Sequence, residues 1–215
     1  MWVKICGIHD VETARAVADL RPDAIGLNFF PQSPRFVDVR MAERICRALP
    51  VDIEPIGLFV NHNVDDILSI CQHCRITTVQ LHGDEPIEQL GRLVEQGLSV
   101  IRALRVDAAG VPAIPETIAA HSAVPLRAIL VDAKTPGQFG GTGQTAPWKP
   151  LAAVWQCDWP SLILAGGLTP SNVAQAIHSV GPWGVDTASG VESSPGIKDI
   201  PRTREFIEAA RHPHQ

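Results

Sequence analysis

Short runs of β-branched and other apolar residues alternate along the chain with longer segments in which apolar positions recur every three to four residues. The first pattern suits buried parallel strands, and the second suits helices that cover them. Eight such units can be followed, with strands predicted over 3–7, 24–29, 55–60, 77–82, 99–105, 128–132, 161–165 and 184–189. Helices are predicted between them over 10–20, 39–49, 64–74, 86–96, 170–180 and 201–211. In Thr169-Pro170-Ser171-Asn172 the threonine is expected to cap a helix whose first position Pro170 fills, because that position needs no amide hydrogen. Asp199 or Ile200 is expected to begin the last helix.

Polar residues mark one end of these strands. Cys6, Asn28, His82, Asp132 and Ser189 fall at predicted strand C-termini, beside glycines. In a closed barrel of parallel strands the loops after those ends meet at one mouth, so residues distant in sequence converge there. An open doubly wound sheet gathers its ligand at a single switch point instead. The count of eight, and the lack of G-x-G-x-x-G after the first strand, select an α/β (β/α)8 TIM barrel. With no linker or low-complexity stretch, residues 1–215 are read as one catalytic domain.

Composition narrows the partners. Hydrophobic residues make up 45% and charged residues 19%, the balance of a folded globular chain. A net charge of −5 without clustered Lys and Arg argues against nucleic acid. No apolar run is long enough to span a bilayer and no signal-peptide pattern opens the chain, so no membrane partner and a cytoplasmic location are expected. Five cysteines, an odd and scattered set, are read as free thiols. Cys71 and Cys74 flank His73, but no second Cys or His pair follows at a finger-like spacing. They are read as half-buried thiols on a helix, and no metal is expected. The tryptophans are read as packing residues. Scattered apolar surface positions suggest a monomer, with a homodimer as the alternative.

Strand alternation then picks out chemistry. In Val3-Lys4-Ile5-Cys6, Val3 and Ile5 suit the helix layer, which turns Lys4 and Cys6 into the barrel with Cys6 nearer the mouth. A neighbouring ammonium is expected to favour the thiolate, making Cys6 a base or nucleophile; a small buried hydrophobe is the plainer alternative. Gln80 and His82 share a face of the fourth strand, where a structural histidine is the alternative. Asp132 ends an apolar strand, and such surroundings are expected to raise its pKa and suit it to general acid work. Ala165-Gly166-Gly167-Leu168 and Ala188-Ser189-Gly190-Val191 follow the seventh and eighth strands, where barrels often bind phosphate through backbone amides. Gly166, Gly167, Ser189 and Gly190 are therefore candidate phosphate contacts.

Taken together, Lys4-Ile5-Cys6-Gly7, Gly26-Leu27-Asn28-Phe29 with Ser33-Pro34-Arg35, Val79-Gln80-Leu81-His82-Gly83, Gly140-Gly141-Thr142-Gly143, Ala165-Gly166-Gly167-Leu168 and Ser189-Gly190-Val191-Glu192 resemble the phosphoribosylanthranilate isomerase family of tryptophan biosynthesis. The likeness runs from Val3 to Pro195-Gly196-Ile197-Lys198-Asp199, nearly the whole chain. It implies a barrel enzyme without cofactor or metal that acts on a small phosphoribosyl substrate by an Amadori rearrangement. By the same resemblance Asp132 is the general acid at the ring oxygen and Cys6 the general base at the sugar C2. Arg35 meets the anthranilate carboxylate, Lys4, Gln80, His82 and Asp186 line the substrate site, and Gly141 joins the phosphate contacts.

Two departures stand out. Ala188 replaces a serine common among relatives, and Gln144-Thr145-Ala146-Pro147 replaces a Lys-Thr-Phe-Asp segment after the sixth strand. Neither touches the acid or the base, so they bear on affinity and turnover rather than on reaction type. The nearest rival is the related barrel isomerase of histidine biosynthesis, which pairs two aspartates and holds a second phosphate. In this chain a second clamp would have to lie near Gly83 or Asn28. A phosphosugar-binding barrel without catalysis is the alternative from another class.

Overall fold

Eight strands pair side by side in chain order, every pair parallel, and the last closes onto the first. The computed structural model describes residues 1–133 and 146–213. The strands are β1 (Trp2–Cys6), β2 (Ala24–Asn28), β3 (Glu54–Phe59), β4 (Thr78–Leu81), β5 (Ser99–Val106), β6 (Ala128–Ala133), β7 (Ser161–Leu164) and β8 (Gly184–Thr187). Helices α1 (Val11–Ala18), α2 (Val39–Ala48), α3 (Val64–Cys74), α4 (Ile87–Glu95), α5 (Ile114–Ala120), α6 (Trp148–Val154), α7 (Val173–Val180) and α8 (Ile200–Arg211) separate and follow them. The predicted TIM barrel is the observed fold, with strand ends shifted by a residue or two.

The strand period of two divides the core as the sequence suggests. Val3, Ile5, Ile25, Leu27, Val79, Leu81, Val100, Ile129, Val131, Leu162 and Leu164 are buried against the helices. Ala24, Ile56, Ile101, Ala103, Ala128, Leu130 and Ile163 form a separate cluster that fills the barrel itself. Burying a medium apolar side chain contributes about 1.5–3 kcal/mol, so the filled interior gives the mouth a rigid floor.

Side-chain caps set most helix starts. Asp10, Asp38, Asn63 and Asp199 each accept an amide hydrogen from the first turn of α1, α2, α3 and α8. The expectation for the seventh helix is corrected. Pro170 lies in a turn, and α7 begins only at Val173. The Thr169 hydroxyl is engaged with Ser171, while Asn172 Oδ1 accepts from the Thr169 amide and Asn172 Nδ2 donates to the Gly167 carbonyl. Asn172 thus shapes the loop after β7, in place of the expected threonine cap.

The sequence pattern gives no sign of the hairpin after β8. A 3-10 turn at Ser189–Val191 leads into an antiparallel pair, β9 (Glu192–Ser194) and β10 (Ile197–Lys198), before α8. The segment expected to continue β8 to Ser189 turns away at Ala188 because the β8 pairing ends at Thr187. His9 Nε2 meets the Gly196 carbonyl at 2.8 Å, which ties this hairpin to the loop after β1.

Candidate active site

A cavity of about 740 Å³ opens at the C-terminal end of the strands. Cys6, Arg35, Gln80, His82, Asp132, Asp186, Gly166, Gly167 and Ser189 all line it. Phe30, Pro34 and Leu58 supply apolar wall, and the five tryptophans lie elsewhere. Trp2 stacks on Trp183, and Trp155 meets Trp159 edge to face.

Three of the expected contacts stand apart from this lining. Lys4 is fully buried below the cavity and does not line it; it touches two residues that do, Asp186, whose Oδ1 accepts from Nζ at 2.8 Å, and Cys6. Gly190 is not among the lining residues; a side chain there would collide with the Leu168 carbonyl, so its part is to let the loops after β7 and β8 approach. Gly141 lies outside the described residues.

The base candidate is held where strand alternation puts it. Cys6 ends β1 and is 5% exposed. Burial pushes its thiol pKa up; the Lys4 and Lys198 ammonium groups oppose that and do not overcome it. The neighbouring ammonium does favour the thiolate, as expected, but desolvation outweighs it in the protein alone. Burial likewise works against the Lys4 charge, but Asp186 and Cys6 outweigh it and its pKa lies above the usual lysine value.

Across the barrel, Asp132 belongs to β6 and is also buried. Its Oδ1 accepts from the Ala133 amide at 2.8 Å, and its Oδ2 lies 3.3 Å from His82 Nε2. His82 Nδ1 is 2.9 Å from Gln80 Nε2. With Nδ1 accepting from that amide, the neutral ring carries its hydrogen on Nε2, toward Asp132; the tautomer follows from the hydrogen-bond pattern. Neither His82 Nε2 nor Gln80 Oε1, both buried, completes a hydrogen bond to a described residue.

The loops after β7 and β8 carry the glycines. Gly166 and Gly167 both have positive φ, 82° and 60°, which side-chain-bearing residues adopt at a cost. Gly166 has a second constraint, since a side chain there would meet the Ala133 amide and Asp132.

Arg35, in the loop after β2, lies 157 residues from its partner Glu192. Nε and Nη2 donate to the two Glu192 oxygens at 2.8 and 2.7 Å. Lys198 Nζ donates to Glu192 Oε1 at 2.6 Å and to the Ala188 carbonyl at 3.0 Å. Burial pushes the Glu192 carboxyl up, but Arg35 and Lys198 bring it below the usual carboxylate value. Glu192 and Lys198 fall within family-like motifs, yet nothing in the sequence gives either a role. No local pattern joins β2 to the hairpin after β8.

Comparison with known proteins agrees with this geometry. The family described as N-(5'phosphoribosyl)anthranilate (PRA) isomerase matches residues 3–209. N-(5'-phosphoribosyl)anthranilate isomerase of Myxococcus xanthus is 41% identical over 213 residues, 97% of this chain and 95% of that protein. The Geobacter sulfurreducens protein of the same name is 43% identical over 211 residues, with 97% and 98% covered. Among solved structures, phosphoribosyl anthranilate isomerase from Thermotoga maritima superposes with a TM-score of 0.87 at 35% identity, covering 97% of this chain and 98% of that one. A phosphoribosyl anthranilate isomerase in complex with reduced 1-(o-carboxyphenylamino)-1-deoxyribulose 5-phosphate matches with a TM-score of 0.81 at 33% identity, 97% of each chain being covered. Fold, cavity and near full-length similarity converge, and the chain belongs to the N-(5'-phosphoribosyl)anthranilate isomerase family.

Proposed function

We propose that the protein converts N-(5-phosphoribosyl)anthranilate into 1-(2-carboxyphenylamino)-1-deoxyribulose 5-phosphate, with Asp132 as general acid and Cys6 as general base. One observation carries the reading: Cys6 and Asp132 stand on β1 and β6, and the glycine loops after β7 and β8 occupy the arc of the mouth between them. A phosphate held by those loops sends the ribose across the cavity. The aryl end then extends toward Arg35 in the loop after β2, whose planar fork suits a carboxylate.

The chemistry needs two proton movements. Asp132 in its acid form protonates the furanose oxygen as the C1–O bond breaks, and the nitrogen lone pair forms the ring-opened iminium. Cys6 as thiolate removes the C2 proton, and those electrons neutralise the iminium to give an enolamine. Tautomerisation of the enolamine yields the ketose. Nothing external is oxidised or reduced. The raised Cys6 pKa fits this sequence of events, because the iminium brings a positive charge beside the sulfur at the step that requires the thiolate. His82 Nε2 faces the Asp132 carboxyl at 3.3 Å.

The positions where a second phosphate clamp would lie are engaged internally, which supports the single-phosphate substrate. The Gly83 amide donates to Glu85, which also accepts from Arg102, and Asn28 bonds Phe30 and Ser33. The test follows anthranilate-type fluorescence with the substrate formed in place from anthranilate and phosphoribosyl pyrophosphate by its transferase. Added protein is expected to quench the substrate signal catalytically. Unchanged fluorescence with folded protein would overturn the reading.

A further inference from the structure

Glu192 and Lys198 belong to no step of the reaction, yet they hold the residue that meets the aryl carboxylate. Glu192 grips one edge of the Arg35 guanidinium through Nε and Nη2, while Nη1 makes no hydrogen bond to a described residue. The second Arg35 edge thus stays available to the cavity that Arg35 lines. The Lys198 side chain is wholly buried, and the Glu192 side chain is 3% exposed. The Gly196 amide and the Arg202 side chain hold Glu192 in place, at its carboxylate and its backbone carbonyl respectively.

The charge count explains why a lysine is there. Arg35 and Glu192 alone form a neutral bidentate pair, and an incoming carboxylate would meet repulsion from Glu192 comparable with its attraction to Arg35. Such a balance matters in a buried cluster, where water screens little. Burial pushes the Lys198 pKa below the usual lysine value, against the pull of Glu192, which favours the ammonium. With that ammonium 2.6 Å from Glu192 the three groups carry a net single positive charge, which one substrate carboxylate neutralises. Lys198 also donates to the Ala188 carbonyl, so the same ammonium joins the carboxylate end of the site to the loop after β8.

We propose that Lys198 is a positioning and specificity-determining residue: acting through Glu192, it makes the Arg35 site attract a carboxylate and so selects aryl amines that carry one. The inference rests on the proposed placement of the aryl carboxylate at Arg35. Two product analogues separate the possibilities: reduced 1-(o-carboxyphenylamino)-1-deoxyribulose 5-phosphate and its counterpart made from aniline, which lacks the carboxyl group. Their dissociation constants are measured by calorimetry on the unaltered protein, Lys198→Gln and Lys198→Arg.

The unaltered protein is expected to prefer the carboxylated analogue by about tenfold or more, the scale of a charge-assisted contact in a desolvated site. Lys198→Gln keeps a donor for Glu192 but removes the charge, and is expected to lose most of that preference while its affinity for the aniline analogue stays within about threefold. Lys198→Arg is expected to retain the preference. Equal weakening of both analogues in Lys198→Gln, or a preference left intact, would overturn the inference. If Lys198→Gln does not fold, a folded Lys198→Arg that has lost the preference would overturn it, and one that keeps it supports the role of charge. No preference in the unaltered protein would overturn the Arg35 placement itself, and the role of Lys198 with it.

Discussion

Gly190 shows how closely single atoms are fitted around this mouth. A methyl group in place of its hydrogen would fall on the Leu168 carbonyl, to which the Thr187 hydroxyl donates at 2.7 Å. Backbone and a buried hydrogen bond would both have to move. Gly190→Ala is expected to lose about 1–3 kcal/mol, the usual range for overpacking. Urea unfolding checks this, and an unchanged midpoint would contradict the packing described. At this scale the sequence is informative where geometry is local. Alternation along β1 places Cys6 inward without further information, and Asp132 follows from the end of an apolar strand. Lys4 shows the limit: alternation points it inward but does not reveal that its ammonium pairs with Asp186 below the cavity. Glu192 lies beyond reach of such reasoning, because its importance comes from a contact 157 positions away in the chain.

Elements follow the sequence where one side chain decides their limits. The caps at Asp10, Asp38, Asn63 and Asp199 are short-range bonds and can be anticipated. Thr169 cannot be separated from Asn172 in the same way, since both cap well and only the loop after β7 determines which carbonyls and amides need partners. The packing of α2 on α3 carries a prediction of its own. Burial pushes the thiols of Cys46 and Cys71 to about 12 and that of Cys74 to about 11, with smaller contributions from neighbouring cysteines for the first two and from Glu43 for Cys74. In the unfolded chain these thiols ionise near the ordinary value of 9.0. Their folded pKa values are raised, so their stabilising contribution is complete below that pH and is lost as pH rises from about 9 to 12. Urea midpoints are expected to fall over that window. At pH 8 the exposed Cys157 should be alkylated in the native protein well before these three. Equally rapid labelling of Cys46, Cys71 or Cys74 would contradict the packing of this helix pair.

At the scale of the whole molecule, closure does what no single element can. Strand order and parallel pairing bring β1, β6, β7 and β8 to the same rim, so that Cys6, Asp132 and the two glycine loops face one cavity. Eight alternating units are enough to anticipate that convergence, because right-handed parallel units of this number close in one way. Charge balance within the cavity is not legible in the same pattern, since it depends on burial as well as on residue identity. Cys6 is the clearest case: a nearby lysine suggests a thiolate, yet desolvation governs the protein alone.

The division of labour between Cys6 and Asp132 is tested most directly by single-turnover loss of substrate fluorescence with enzyme in excess, comparing the unaltered protein with Cys6→Ala and Asp132→Asn. Both variants are expected to bind the reduced product analogue and to react at least about 100-fold more slowly, the lower range for removing a general acid or base. A variant of either position that is folded and turns over at close to the unaltered rate would contradict the assigned roles.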